Sequence, residues 1–89
     1  MYNGSNPDVM VEEIEMDIRL FPNPASTEVV VTINGEAPNE VQIFDASGRF
    51  VSSTQRMSRI DIQSLVAGIY TFRIVHEGEV WEQQIVKQN

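Results

Sequence analysis

The stretch "EIEMDIRLFPNPAS", residues 13–26, decides how this chain folds. From Glu13 to Leu20 it alternates, with Ile14, Met16, Ile18 and Leu20 on one side and Glu13, Glu15, Asp17 and Arg19 on the other. That period of two marks a half-buried strand, because successive side chains of an extended chain point to opposite faces. At Pro22 and Pro24 the pattern ends. Neither residue has an N–H, and each pushes the residue before it, Phe21 or Asn23, toward an extended conformation. Pairing stops while the backbone stays extended, which suits a segment that leaves the edge of one sheet and crosses toward another.

Alternating or β-branched runs continue at Thr27 to Asn34, Glu40 to Asp45, Arg49 to Gln55, Arg59 to Ile62, Gly68 to His76 and Glu79 to Lys87. Between them "NGEAPN" (34–39), "DASG" (45–48) and "HEG" (76–78) supply the Asn, Asp, Gly and Pro that tight reversals need. No segment carries a convincing amphipathic helix, and no repeat of roughly 20–50 residues is present. Seven short strands at this spacing predict an all-β fold, an immunoglobulin-like antiparallel β-sandwich. "LVAGIY" (65–70) adds a tertiary signal. A Leu, then a Gly two residues before a strand-opening Tyr, is the pattern of a tyrosine corner, so Tyr70 is expected to bond a backbone group a few residues upstream.

A chain of 89 residues supports a single core, and its composition divides into a leading flexible segment (residues 1–8) and one domain (residues 9–89). The net charge of −7 sits in the first part: eight of the thirteen acids but one of the six bases precede residue 41. Such a field repels phosphate backbones and anionic bilayers, so no nucleic-acid or membrane-surface partner is expected. No apolar run approaches the roughly 20 residues needed to span a bilayer. With no cysteine, composition does not report the redox compartment. Residues 1–10 lack the basic start and apolar middle of a secretory signal, so export would need another signal.

Chemistry is sparse. His76 is the one histidine and reads as an ordinary turn residue beside Glu77 and Gly78. Glu13, Glu15 and Asp17 share one strand face and read as a solvated, edge-protecting surface. "DASG" lacks the later ligands and the terminal glutamate of a calcium loop, so it reads as a turn. No catalytic residue, metal ligand or cofactor site is expected, and the domain reads as a non-enzyme. One less ordinary feature is a second apolar set, Phe44, Phe50, Ile69, Val75 and Trp81. These fall out of phase with the inward positions and read as a candidate outer docking face.

Four stretches, "LFPNPAS" (20–26), "VQIFDASGRFV" (41–51), "IDIQSLVAGIYTFRI" (60–74) and "QQIVKQN" (83–89), together resemble the C-terminal sorting domain of the type IX (Por) secretion system. The resemblance spans about residues 17–89 and rests on the combination, since "PNPA" or "AGIY" alone is weak. It implies a non-enzymatic address label on a larger exported cargo. The cargo would reach the periplasm by a separate signal, and the outer-membrane machinery would recognise the label. A sortase-like peptidase would cut upstream as the cargo reaches the cell surface or is secreted.

Carried over by position, the motif residues are Pro22, Asn23, Pro24, Gly48 and Leu65, read as mainly structural, with Gly68 and Tyr70 placed among the recognition residues. The last strand, Ile85, Val86 and Lys87, is implied to matter most for export, with strand addition at its edge as the mode of recognition and Lys87 giving register. Ala67 and Gln84 depart from the family pattern, where proline and lysine are common. Processing is expected within residues 2–10. The alternative is an accessory module of a secreted enzyme or adhesin, carbohydrate-binding or a spacer, which a flat Trp81 and Phe44 platform would mark. The acidic first strand and the proline crossing would also permit a strand-exchanged homodimer.

Overall fold

The computed structural model describes residues 16–89. Within them run seven strands: β1 (Ile18–Phe21), β2 (Glu28–Ile33), β3 (Glu40–Phe44), β4 (Phe50–Gln55), β5 (Arg59–Asp61), β6 (Gly68–His76) and β7 (Glu79–Lys87). They form two antiparallel sheets, β1-β2-β5 and β4-β3-β6-β7. This is the Greek-key sandwich of immunoglobulin-like domains, with the fourth strand paired to the third in the larger sheet.

Alternation builds the core. Val29, Val31, Ile33 and Ile60 of the smaller sheet bury against Val41, Ile43, Tyr70, Phe72, Ile74 and Ile85 of the larger, in one cluster. The β-branched run of β2 suits a pleated surface, and each fully buried Val, Ile or Phe contributes about 1.5–3 kcal/mol. Ile18 and Leu20 of β1 pack against this cluster as the alternation predicts, while Asp17 and Arg19 stay outside. The expected start of the domain near Val9, Ile14 on the inner face, and the outward Glu13 and Glu15 lie outside the described residues.

The proline crossing behaves as the sequence predicts. β1 pairs with β2 as far as Phe21 opposite Val30. The chain then passes Pro22 and Pro24, each preceded by a cis peptide bond, and Ala25 forms a parallel bridge with Lys87 at the edge of the larger sheet.

One register expectation is corrected. β6 and β7 are joined by a two-residue turn in which Glu77 (φ 49°) and Gly78 (φ 81°) are both left-handed, the geometry that matches strand twist. That turn sets Ile74 opposite Trp81, so Trp81 packs inward against the core rather than on the outer face. Val80 and Val86 take outer positions instead. Phe44, Phe50, Ile69 and Val75 do lie on the outer side of the larger sheet. There Phe44 and Phe50 meet edge to face at 5.8 Å, and the Arg73 guanidinium sits 5.9 Å from the Phe44 ring. Trp81 and Phe44 occupy opposite faces and make no shared platform.

The strand directions define two poles. At the first lie Met16, the connections 34–39 and 56–58, and the Glu77–Gly78 turn. At the second lie the crossing 22–27, the turn 45–49, the connection 62–67, and Gln88 and Asn89.

Candidate functional site

The motif residues Pro22, Asn23, Pro24, Gly48, Leu65, Gly68 and Tyr70, together with Lys87, converge on the second pole, although they come from four separate stretches of the chain. Each is placed by a local device. Tyr70, buried on the inner face of β6, donates its hydroxyl to the Val66 carbonyl at 2.7 Å, which closes the predicted tyrosine corner. Leu65 packs on the core, and its N–H reaches the Ile62 carbonyl at 3.1 Å. Gly68 opens β6 directly opposite Lys87.

The turn 45–49 is held by one carboxylate. Asp45 Oδ1 accepts from the Ser47 hydroxyl (2.7 Å), the Ser47 N–H (3.0 Å) and the Arg49 N–H (3.0 Å), and Oδ2 accepts from Arg49 Nε (3.2 Å). Gly48, at φ 89°, takes a left-handed conformation that favours glycine and donates its N–H to the Asp45 carbonyl at 2.9 Å. The Ser47 hydroxyl foremost, then the Arg49 N–H, lowers the Asp45 pKa from 3.8 to about 2. With four donors from its own turn, this carboxylate works as a brace for the loop.

The last strand alternates. Ile85 and Lys87 face inward and Val86 outward. Lys87 is only 6% exposed, and its Nζ donates to the Gln88 carbonyl at 2.9 Å. In this conformation it is an interior residue, not the exposed register mark that strand recognition would use.

The outer edge of the same strand is occupied. Asn23 accepts the Val86 N–H on Oδ1 (3.0 Å) and donates from Nδ2 to the Gln84 carbonyl (3.2 Å). Ala25 continues the ladder, donating to the Val86 carbonyl (2.9 Å) and accepting from the Gln88 N–H (2.7 Å). The role of Asn23 is not visible in the strand pattern. A signal exists nonetheless: between two residues without N–H groups stands an amide, the side chain that carries a donor and an acceptor as a peptide does.

A shallow hollow of about 240 Å³ lies between Asp45, Ser47, Val66, Gly68 and Tyr70, and beside it Ile69 and Val86 pair on the outer face. Phe50, 55% exposed, and Val66 extend this apolar border. Of the candidate outer docking face, Phe44, Phe50 and Ile69 lie toward the motif pole, whereas Val75 lies at the opposite end beside Val80 and Trp81 faces inward.

The first pole differs. His76 is not a turn residue: it ends β6 facing inward, 8% exposed, opposite Glu79. Its Nε2 lies 3.8 Å from Glu77, and its Nδ1 has no hydrogen-bond partner among the described residues. It borders an open cleft of about 700 Å³ with Met16, Glu36, Glu79 and Trp81.

Among the described residues, seven strands form an immunoglobulin-like sandwich that gathers the motif residues at one pole. The sequence profile of the secretion system C-terminal sorting domain matches residues 19–88, and the chain belongs to that family. No curated protein matches it. Domains of this family are sorting signals of type IX secretion. They engage that secretion machinery and serve a cargo on their N-terminal side, and the protein that carries one is exported to the cell surface or secreted.

Proposed function

We propose that this domain is a non-enzymatic address label whose second pole is the surface recognised by the outer-membrane machinery, as its cargo arrives there from the periplasm. The carrying observation is the convergence of Pro22–Pro24, Gly48, Leu65, Gly68, Tyr70 and Lys87 at the end of the sandwich opposite Met16. Met16, the first described residue, lies at the opposite pole, on the side of the chain from which a cargo would precede the domain. The recognised strand is the last one, at Ile85, Val86 and Lys87, read through its outer edge and the exposed Val86 side chain while Ile85 and Lys87 anchor it from inside, with Gly68 and Tyr70 holding the neighbouring strand in place.

A sortase-like peptidase then cuts within residues 2–10, ahead of the domain in the sequence. The accessory-module alternative is less supported, because Trp81 turns inward and the one ring beside Phe44, that of Phe50, meets it edge to face, so no flat aromatic platform for a sugar forms among the described residues. Fusion of residues 9–89 to a periplasm-targeted reporter, in cells with this secretion system, tests the label directly. Surface display is expected, and retention in the periplasm refutes it. Mass spectrometry of cargo released at the surface tests the cut, and a new terminus within residues 14–22 contradicts the assignment.

A further inference from the structure

The segment Asn23–Ala25 lies on the outer edge of β7 as a short surrogate strand. Main-chain groups of Gln84, Val86 and Gln88 point outward to meet it. By the alternation of a strand, those of Val80 and Glu82 point the same way, and they have no main-chain partner among the described residues. Among the described residues the edge therefore has an open half, Val80 to Gln84, and a covered half, Gln84 to Gln88.

The cover is thin. Pro22 and Pro24 cannot donate, Asn23 contributes only a side chain, and Ala25 alone makes true backbone pairs. Both Asn23 bonds are solvent-exposed, so water can take their place. Ala25 is 2% exposed, yet its removal would uncover only a methyl group.

Resting on the label reading above, we propose that the Asn23–Ala25 strap is a placeholder for a strand of the export machinery. An extended partner segment pairs first with the open half of β7. It runs parallel to β7, as Ala25 does at its bridge with Lys87, and displaces the strap residue by residue to bond Gln84, Val86 and Gln88. Where it replaces Ala25, a small residue fits. The recognised feature is the edge itself, and Asn23 is a positioning residue that keeps it closed in the free protein.

The test uses amide hydrogen exchange of the 89-residue chain together with export of the reporter fusion. Asn23→Ala is expected to speed exchange of the Val86 amide at least tenfold, with Phe72 and Ile74 unchanged, and to leave export equal to or faster than wild type. Asn23→Asp keeps the acceptor for Val86 and should give a smaller rise, so the proposal remains testable even if the alanine variant folds poorly. Unchanged Val86 exchange in folded Asn23→Ala overturns the strap as a closure. Loss of export by a folded Asn23→Ala fusion overturns the placeholder, because Asn23 would then be what is recognised. Deletion of Ile85–Asn89 separates the two readings: normal export of that fusion overturns the label reading itself, whatever Asn23 does.

Discussion

At the second pole the named donors and acceptors meet partners inside the fold: Tyr70 with Val66, Asp45 with its own turn, and Asn23 with the Val86 N–H and the Gln84 carbonyl. At the first pole a buried imidazole nitrogen goes unmatched among the described residues, and an acidic cleft stands open around it. The same two sheets reach both ends, so the difference lies in the connections. Both ends are tied by hydrogen bonds: at the first pole Asn39 accepts from the Glu77 N–H (2.7 Å) and the Arg56 N–H (3.1 Å), and Asn34 accepts from the Asp17 N–H (2.9 Å). At the second pole the motif residues Tyr70 and Asn23 themselves supply the braces, and a preformed surface is the kind from which a partner gains most.

Substitutions along one strand should expose this contrast. Ile85→Ala removes a fully buried side chain beneath the second pole and is expected to cost about 2–5 kcal/mol in chemical denaturation. Val80→Ala, half-exposed at the other end of β7, should stay within about 0.5 kcal/mol. A cost for Val80 comparable to that for Ile85 would break the comparison. Tyr70→Phe keeps the ring but leaves the Val66 carbonyl without its donor, and about 1–2 kcal/mol should be lost.

The counterpart at the first pole should go the other way. Because His76 Nδ1 is buried without a partner among the described residues, His76→Leu is expected to hold stability or raise it by up to about 1 kcal/mol, measured by thermal or urea unfolding. A marked loss would show that the imidazole has a role in the free domain. The smallest effect concerns acid. The folded pKa of Asp45 is below its ordinary value, so its stabilising contribution is complete above about pH 4 and fades as pH falls toward about 2. Asp45→Asn should flatten the stability profile in that window and leave its shape near neutrality unchanged.

Much of this architecture is legible in the sequence because alternation and turn chemistry are local. The runs beginning at Glu40, Gly68 and Glu79 start their strands where the pattern does, and the prolines at 22 and 24 mark the change of sheet. Trp81 is misplaced by pattern alone because β7 is polar on much of both faces, so its phase is set by the Glu77–Gly78 turn rather than by its own residues. The Asn23 clasp is hidden for a different reason: its partners Gln84 and Val86 are 61 and 63 residues away, beyond any window of periodicity. Burial of Lys87 likewise follows from its pairing with Gly68, and composition alone would place a lysine in solvent.

The central claim, that the second pole and not the first is recognised, is tested most directly by two matched substitutions on the outer face of β7. Val86→Asp and Val80→Asp place the same charge on exposed positions of one strand, one at each pole. With both reporter fusions folded, the account predicts that Val86→Asp, which charges the outer face of the recognised pole, strands the reporter in the periplasm, while Val80→Asp, which keeps the main-chain groups of the open half of the edge, reaches the cell surface as wild type does. Equal export of the two, or loss with Val80→Asp alone, would contradict it.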